Sequence, residues 1–377
     1  MNRTGSMRSR RGSFTIALAL ALAALTAAGC GSSSNTASTS GKTVTVGEST
    51  TLSGPFGGFG KGGLNGVKLA ASDINSSGGL LGKKVKVASA DDAADPATGS
   101  TNTRNMILKD KVVALFGPVS SAVASAEETL AVQFKLPIFM HTSNDVGLTK
   151  PQFVKNAFSF VPNTDMEPAA IAAAVAKQAG GRSIKVATIT PNYSFGLDSV
   201  KAFLKDLKAD GVKFTVTTQQ TPALGASSYT PYISAILSSS PDYVFAGQYA
   251  GDLITFTKQA AGFGLFKKAK VIGMYDLDAL QSLGSSAPAG AIAYDRAPFW
   301  TINSGQMADF VKRYKAAYGS YPSEWAIMAY TAAQGWAYGV KKAGSFDLDK
   351  VSAALSGGAT VPTIRGPVTL RACDHQA

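Results

Sequence analysis

Gly58, Gly60 and Gly63 stand at the spacing G-x-G-x-x-G inside the stretch SGPFGGFGKGG, with Lys61 among them. That spacing cradles a dinucleotide pyrophosphate when its first glycine directly follows a strand and opens a helix. Here ten residues, Pro55 among them, separate Gly47 from Gly58. A phosphate-loop lysine motif fits worse, because Pro55 stands where a glycine is needed and Gly62 replaces the Ser or Thr after Lys61. The glycines are instead expected to let a strand-to-helix loop bend sharply and carry Phe59 toward a cleft. Only two histidines occur, His141 and His375, which excludes a multi-histidine metal centre and argues against a Ser-His-Asp triad. No G-x-S-x-G nucleophile elbow is present. No cofactor or metal is expected, and the chain is not expected to be an enzyme.

The N-terminus points to export. Arg3, Arg8, Arg10 and Arg11 precede an uncharged Ala/Leu-rich run, Phe14 to Ala28, of the size of a signal-peptide core. Small residues Ala27, Ala28 and Gly29 lead to Cys30 and a Ser/Thr/Gly/Asn tether to Gly41, a pattern that resembles the lipobox of bacterial lipoproteins. Residues 1–29 are therefore expected to be a signal peptide, and 30–41 a lipidated Cys30 with its tether. Ala27 departs from the usual Leu or Val of that box. The net charge of +12 from 36 Lys+Arg and 24 Asp+Glu is dispersed, without the basic run of a nucleic-acid groove. With Cys30 lipidated, Cys373 has no intramolecular partner, and the fold rests on its apolar core.

The elements that must position any site alternate. Apolar runs at Thr43–Gly47, Lys84–Ala88, Val112–Phe116 and Leu136–Met140 are separated by helical periodicity, such as Leu64, Val67, Ala71 and Ile74. The pattern restarts near Phe158. Strands at Ile184–Ile189, Val212–Val216, Tyr243–Ala246 and Lys270–Ile272 alternate with helices, one carrying Val200, Phe203, Leu204 and Leu207 on a single stripe. Two α/β units in series predict two doubly wound lobes with parallel-sheet cores. The stripe Ala326, Ala329, Tyr330, Ala333 and Ala337 predicts helix packing.

After its first strand, L-S-G-P-F-G-G-F-G resembles the opening of the leucine/isoleucine/valine-binding protein family. Four further motifs follow in register. These are Ala71–Asn75 with Gly78–Gly82, Asp91–Pro96, Leu115–Ser121 and Asn192–Gly196. The resemblance implies a type I periplasmic binding protein, two lobes joined by a three-crossover hinge with the ligand between them. It places residues 42–161 plus 297–360 in lobe 1, and 162–296 plus 361–377 in lobe 2.

The resemblance also implies ligand contacts. Ser121, with Ser120 beside it, corresponds to the family's serine. Thr142 and Asn144 follow the strand ending at Met140, where strand ends bind ligands on general grounds as well. Ser121 can equally cap the following helix. Tyr193 and Tyr249 are expected to close over the ligand from lobe 2, with ordinary rim packing as the alternative. A carboxylate for the ligand ammonium is due after Ile272, yet alignment by Gly273 puts Tyr275 there and Asp276 one place later. An unpaired ammonium would lose a charge-assisted bond of about 1.5–3 kcal/mol, so an amide or a carboxylate without ammonium stays open as ligand. His141 is either a further donor to an acid ligand or a satisfied structural histidine. The resemblance continues beyond Ala377, so truncation is expected.

Together these features predict a monomeric, lipid-anchored, extracytoplasmic receptor of an ABC importer of the branched-chain amino-acid type, binding a small amino acid or a related amide or carboxylate between the lobes and delivering it to a membrane permease. A receptor of the same fold that signals without transport is the alternative, and an exported serine hydrolase acting through Ser121 is a third reading.

Overall fold

The protein is described by a computed structural model that covers residues 43–150 and 154–377. The expected signal peptide (1–29), Cys30 and its tether lie outside the described residues. No helix among the described residues is long and apolar enough to cross a membrane.

Lobe 1 begins with β1 (Thr43–Thr50), α1 (Gly57–Ser76), β2 (Lys84–Asp91) and α2 (Pro96–Asn105). It continues with β3 (Leu115–Phe116), α3 (Ser121–Phe134), β4 (Ile138–Met140) and β5 (Ala157–Ser159). Lobe 2 carries α4 (Met166–Ala179), β6 (Ile184–Ile189), α5 (Ser194–Ala209), β7 (Phe214–Gln220) and α6 (Thr230–Ser238). Its second half is β8 (Tyr243–Ala246), α7 (Ala250–Gly262), α8 (Leu265–Lys268), β9 (Lys270–Gly273), α9 (Leu277–Leu283) and β10 (Ile292–Ala293). The chain then returns to lobe 1 with α10 (Gly305–Tyr318), α11 (Glu324–Ala343), α12 (Leu348–Leu355) and the antiparallel hairpin β11 (Thr360–Thr363) and β12 (Gly366–Thr369).

Both five-stranded sheets are parallel, and both share one topology. The first runs β2-β1-β3-β4-β5, and the second, read from the far edge, runs β7-β6-β8-β9-β10. In each, the order reverses between the first and third strands of the lobe. Loops leaving adjacent strands there diverge to opposite faces and open a crevice at the carboxyl ends. Sequence pattern explains the layering: β8 and β9 are buried on both faces, as strands covered by helices on either side must be.

Apolar clusters occupy each helix–sheet layer. In lobe 1, α11 lies against α1, β3 and β4, and its Ala326, Ala329, Ala333 and Trp336 belong to the core. One further cluster crosses the gap between the lobes, joining Phe56, Phe59, Val119 and Trp325 of lobe 1 to Phe195, Tyr249 and Met274 of lobe 2.

Two expectations are corrected. The glycine stretch does not form a bent loop: Gly58, Gly60 and Gly63 are helical residues of α1. A side chain at Gly60 would overlap the Thr51 carbonyl oxygen, and a Cβ at Gly63 would lie 2.7 Å from His141 Cε1. The glycines therefore allow α1 to cross close over the end of β1. Residues 361–377, expected in lobe 2, lie against lobe 1. Val361, Ile364 and Leu370 enter the lobe 1 core, and the chain end pairs with β5, His375 O accepting from Ser159 N and Ala377 N donating to Ser159 O.

Candidate functional site

The carboxyl ends of the two sheets face each other, and Phe59, Ser121, Thr142, Asn144, Tyr193 and Tyr249 all line one cavity between them, with Val119, Phe195, Met274, Arg296 and Trp325. Each expected residue arrives from a strand end or the helix after it. Ser121 opens α3 after β3, and Thr142 and Asn144 follow β4. Tyr193 and Tyr249 stand at the N-cap positions of α5 and α7. Phe59 comes from the first turn of α1. The cavity measures about 20 Å³, room for about one water molecule. A ligand of even ten heavy atoms enters only with the lobes apart. A wider groove of about 580 Å³ runs outside it between α1, α7 and α9, sharing Phe59 as its inner wall. The inner cavity is the candidate site, because the polar groups of both switch points converge there.

The cavity walls are aromatic. The Phe59 ring stacks on Trp325 at 4.0 Å and packs against Tyr249 at 5.8 Å. Phe195 meets Tyr249 edge-on at 5.5 Å. The Tyr193 and Tyr249 hydroxyls share a hydrogen bond of 2.8 Å, and burial holds both phenols in the neutral form by pushing them up from the ordinary tyrosine range. Ser121 Oγ accepts from Asp145 N at 3.3 Å. Asn144 Nδ2 donates to Pro162 O at 2.8 Å and to Glu167 Oε2 at 3.2 Å.

Arg296, which the sequence reading did not single out, is the one charged side chain lining the cavity among the described residues. It lies on the segment that returns from β10 to lobe 1, and its side chain is 3% exposed. Its guanidinium pairs with Glu167 of α4 through Nε and Nη2, and Nη1 donates to Thr142 O at 3.2 Å. It also lies 4.8 Å from the Trp325 ring centre, a cation–π distance. Burial acts to lower this guanidinium, but Glu167 and Glu324 beside it hold it above the ordinary arginine range. Three of its five N–H donors are engaged, which leaves two for a ligand.

The other three expected residues sit behind the wall. Ser120 is the N-cap residue of α3 and is buried. Tyr275 is buried within lobe 2, its hydroxyl 3.2 Å from that of Thr257, and burial pushes it up to about 12. Asp276 caps α9 by accepting from Ala279 N at 2.7 Å, and reaches across the gap to accept from Trp325 Nε1 at 3.2 Å. Burial first, then the neighbouring Asp278 and Asp295, push Asp276 up to about 7.

This interlobe seam collects acids. Asp278 is pushed up to about 6 by burial and Asp295, and Glu324 well above the carboxylate range by burial and Asp295. Glu128, in lobe 1, is raised to about 8 by burial. Each holds its proton to higher pH in the folded chain than in the unfolded one. The folded state therefore binds more protons from about pH 4 upward, and stability falls as pH rises through about 4 to 8. His375, pushed down by burial, works in the opposite sense, as do the lowered carboxyls of Asp91, Asp95, Asp349 and Asp374, these only at about pH 4 and below. Calorimetric melting is expected at a lower temperature at pH 8 than at pH 5.5, with the difference reduced in Asp278→Asn. A melting temperature that climbs over that interval would show that the seam acids are ionised in the folded chain.

The family model for periplasmic binding proteins matches residues 43–377. A Leu/Ile/Val-binding protein, BraC3 of Rhizobium johnstonii, is 28% identical over 331 residues, covering 86% of this chain and 87% of its own. An ABC-transporter solute-binding protein of Rhodopseudomonas palustris, solved with 3,4-dihydroxybenzoic acid, is 28% identical with a TM-score of 0.77, covering 89% of this chain and 90% of that one. A second R. palustris solute-binding protein, solved with benzoate, is 26% identical with a TM-score of 0.78, over 88% and 90% of the two chains. With two parallel-sheet lobes of matching topology, the chain belongs to the periplasmic binding protein family, in its leucine/isoleucine/valine-binding branch.

Proposed function

We propose that this chain is the extracytoplasmic solute receptor of an ABC importer and that its ligand is a small carboxylate lacking an ammonium group, an aromatic acid such as benzoate. The observation that carries this is the lining of the cavity: one buried arginine and no acidic side chain among the described residues. An α-amino acid would bring an ammonium with no carboxylate to meet it, since Asp276 is already occupied as helix cap and indole acceptor. The N-termini of α3, α5 and α7 add to the preference for an anion, because Ser121, Tyr193 and Tyr249 place them at the cavity and none carries a side-chain cap bond. Each such terminus stabilises a nearby negative charge by about 0.3–1 kcal/mol. The rings of Phe59, Trp325, Phe195 and Tyr249 supply apolar faces of the width of a benzene ring.

In this reading Ser121, Thr142 and Asn144 of lobe 1 and Arg296 at the crossing hold the carboxylate, while Phe59, Tyr193 and Tyr249 enclose the ring. Ser120, Tyr275 and Asp276 support these from behind. The ligand touches both lobes only when they are together, so it shifts the hinge equilibrium toward closure by its differential affinity. The closed form is what a permease recognises. Cys30 carries the lipid that keeps the receptor at the membrane. Chemistry on the ligand is not part of this function.

Thermal-shift measurements with benzoate, benzamide and leucine test it. Benzoate is expected to raise the melting temperature, equivalent to about 2.7 kcal/mol at one hundred times Kd, with little effect from benzamide. A shift with leucine and none with benzoate would overturn the assignment and bring Asp276 back as the ammonium partner, one residue behind the wall.

A further inference from the structure

Glu48 is the one acid inside β1, and no part of it is exposed. Neither of its oxygens has a hydrogen-bond partner among the described residues. Nε2 of His141 stands 3.5 Å from Glu48 Oε1 and is equally buried. On the other side of the imidazole, Nδ1 lies 2.8 Å from the hydroxyl of Thr142, which lines the ligand cavity. Sheet register sets this up: Glu48 pairs with Phe116, Phe116 with Phe139, and His141 follows two residues later. Gly63 and Gly117 leave the space, since a Cβ at Gly63 would press on His141 Cε1 and one at Gly117 would come 3.5 Å from Glu48 Cγ. A carboxylate, an imidazole and a hydroxyl thus form a chain from the lobe 1 interior to the ligand.

The number of protons on the Glu48–His141 pair decides what Thr142 offers. With the pair at net −1, Nε2–H faces the carboxylate and bare Nδ1 accepts the Thr142 hydroxyl proton, so Thr142 shows only lone pairs to the cavity. With one more proton the pair is neutral overall, Nδ1–H donates to Thr142 Oγ1, and the hydroxyl proton is free to donate toward the ligand. An anionic ligand needs that donor and also repels a second negative charge behind it, so both effects favour the protonated pair. Other groups facing the pair do not replace this proton. Glu127 of α3, near enough to Asp92 and Glu48 to feel their charges, is raised well above the carboxylate range, by burial first. Asp92 accepts from Thr51 Oγ1 at 2.6 Å. Arg296 reaches the Thr142 carbonyl rather than its hydroxyl. From α1, Gly63 faces the pair.

We infer that binding of a carboxylate ligand is coupled to uptake of one proton from solvent by the Glu48–His141 pair, with His141 setting Thr142 as a donor. The inference rests on the carboxylate ligand proposed above. With one proton taken up per ligand bound, affinity for the anion falls by up to about tenfold per pH unit as pH rises.

Titration calorimetry of the full chain with benzoate, in phosphate and in Tris at pH 7, measures the uptake directly. The binding enthalpies are expected to differ by about the difference in buffer ionisation enthalpy, and the difference is expected to vanish in His141→Gln. Thr142→Val, which leaves the buried pair in place, is expected to weaken binding and to reduce the buffer dependence, because only the repulsion between ligand and pair then remains. This second variant decides the matter where His141→Gln fails to fold. Benzoate binding with the same enthalpy in both buffers overturns the inference, as does proton uptake that is undiminished in both variants, which would assign it to the seam acids. Absence of benzoate binding in either buffer is a different failure. It removes the carboxylate ligand itself, and the proton coupling with it.

Discussion

Replacing Arg296 by methionine is expected to cost about 3–5 kcal/mol of stability and to abolish benzoate binding, the first because Glu167 is left as a buried charge without its partner. Glu167 is already raised by burial even with the guanidinium beside it. In Arg296→Met it must either take up a proton or remain charged in a wall that water barely reaches. Denaturant titration at unchanged m-value measures the loss. The double variant Arg296→Met/Glu167→Gln is expected to regain most of that stability, since a neutral amide can still bond Asn144, but not to regain binding. A double variant as unstable as the single one would show that packing around the Arg296 stem, rather than the ion pair, accounts for the cost.

Arg296→Lys separates charge from geometry. The ammonium keeps the positive charge but loses the planar fork that meets Glu167 and the Thr142 carbonyl together and, in the proposed reading, the ligand as well. Benzoate affinity is expected to fall tenfold to a hundredfold, equivalent to about 1.5–3 kcal/mol, with stability closer to the parent than in Arg296→Met. Undiminished binding in Arg296→Met would take the anion site away from this residue altogether. Position makes Arg296 sensitive. Its backbone N donates to Glu324 Oε2 at 2.7 Å, its side chain holds α4, and it lies where the chain passes from lobe 2 back to lobe 1. In the proposed reading, ligand recognition and hinge therefore share one residue.

What the sequence could reveal of this arrangement follows from how local each signal is. Ser121, Thr142, Tyr193 and Tyr249 each follow an apolar run, and the end of a parallel strand is a place that periodicity alone can locate. Arg296 has no such marker. It sits in AYDRAPFW, where no period repeats, and its burial depends on Glu167, 129 residues away. Glu48 and His141 were similarly separate, one a lone acid in an apolar run and the other a residue with two open roles, until strand register put them side by side. The glycine stretch misled in a narrower way. Tight helix crossing and phosphate cradling both need glycine at the same steps, and only the partner decides: here that partner is the Thr51 carbonyl and α11, not an anion. The C-terminal hairpin illustrates a further ambiguity, since Val361, Ile364 and Leu370 would suit the core of either lobe.

Trp325→Ala is expected to be the second large loss, about 3–5 kcal/mol from removing a fully buried indole, and Trp325→Phe shows why. Phenylalanine keeps the stack on Phe59 and a face for Arg296, but removes the Nε1 donor that reaches Asp276 from the opposite lobe. A buried acceptor left short of a donor costs about 1–3 kcal/mol. That cost depends on pH with a definite sign. The indole bond favours the ionised form of Asp276, which burial otherwise pushes up to about 7. Below that value the carboxyl is mostly protonated and the lost bond matters less; above it, the folded variant carries a buried carboxylate with one donor fewer. The stability deficit of Trp325→Phe is therefore expected to be larger at pH 8 than at pH 5.5, and to shrink at pH 8 when Asp276→Asn is added. Equal deficits at the two pH values would mean that the indole serves only as apolar filling. Because the bond joins lobe 2 to lobe 1, its loss also withdraws free energy from the closed state specifically. Ligand affinity should fall in parallel with stability at pH 8, and small-angle scattering without ligand should report a larger radius of gyration for Trp325→Phe than for the parent chain.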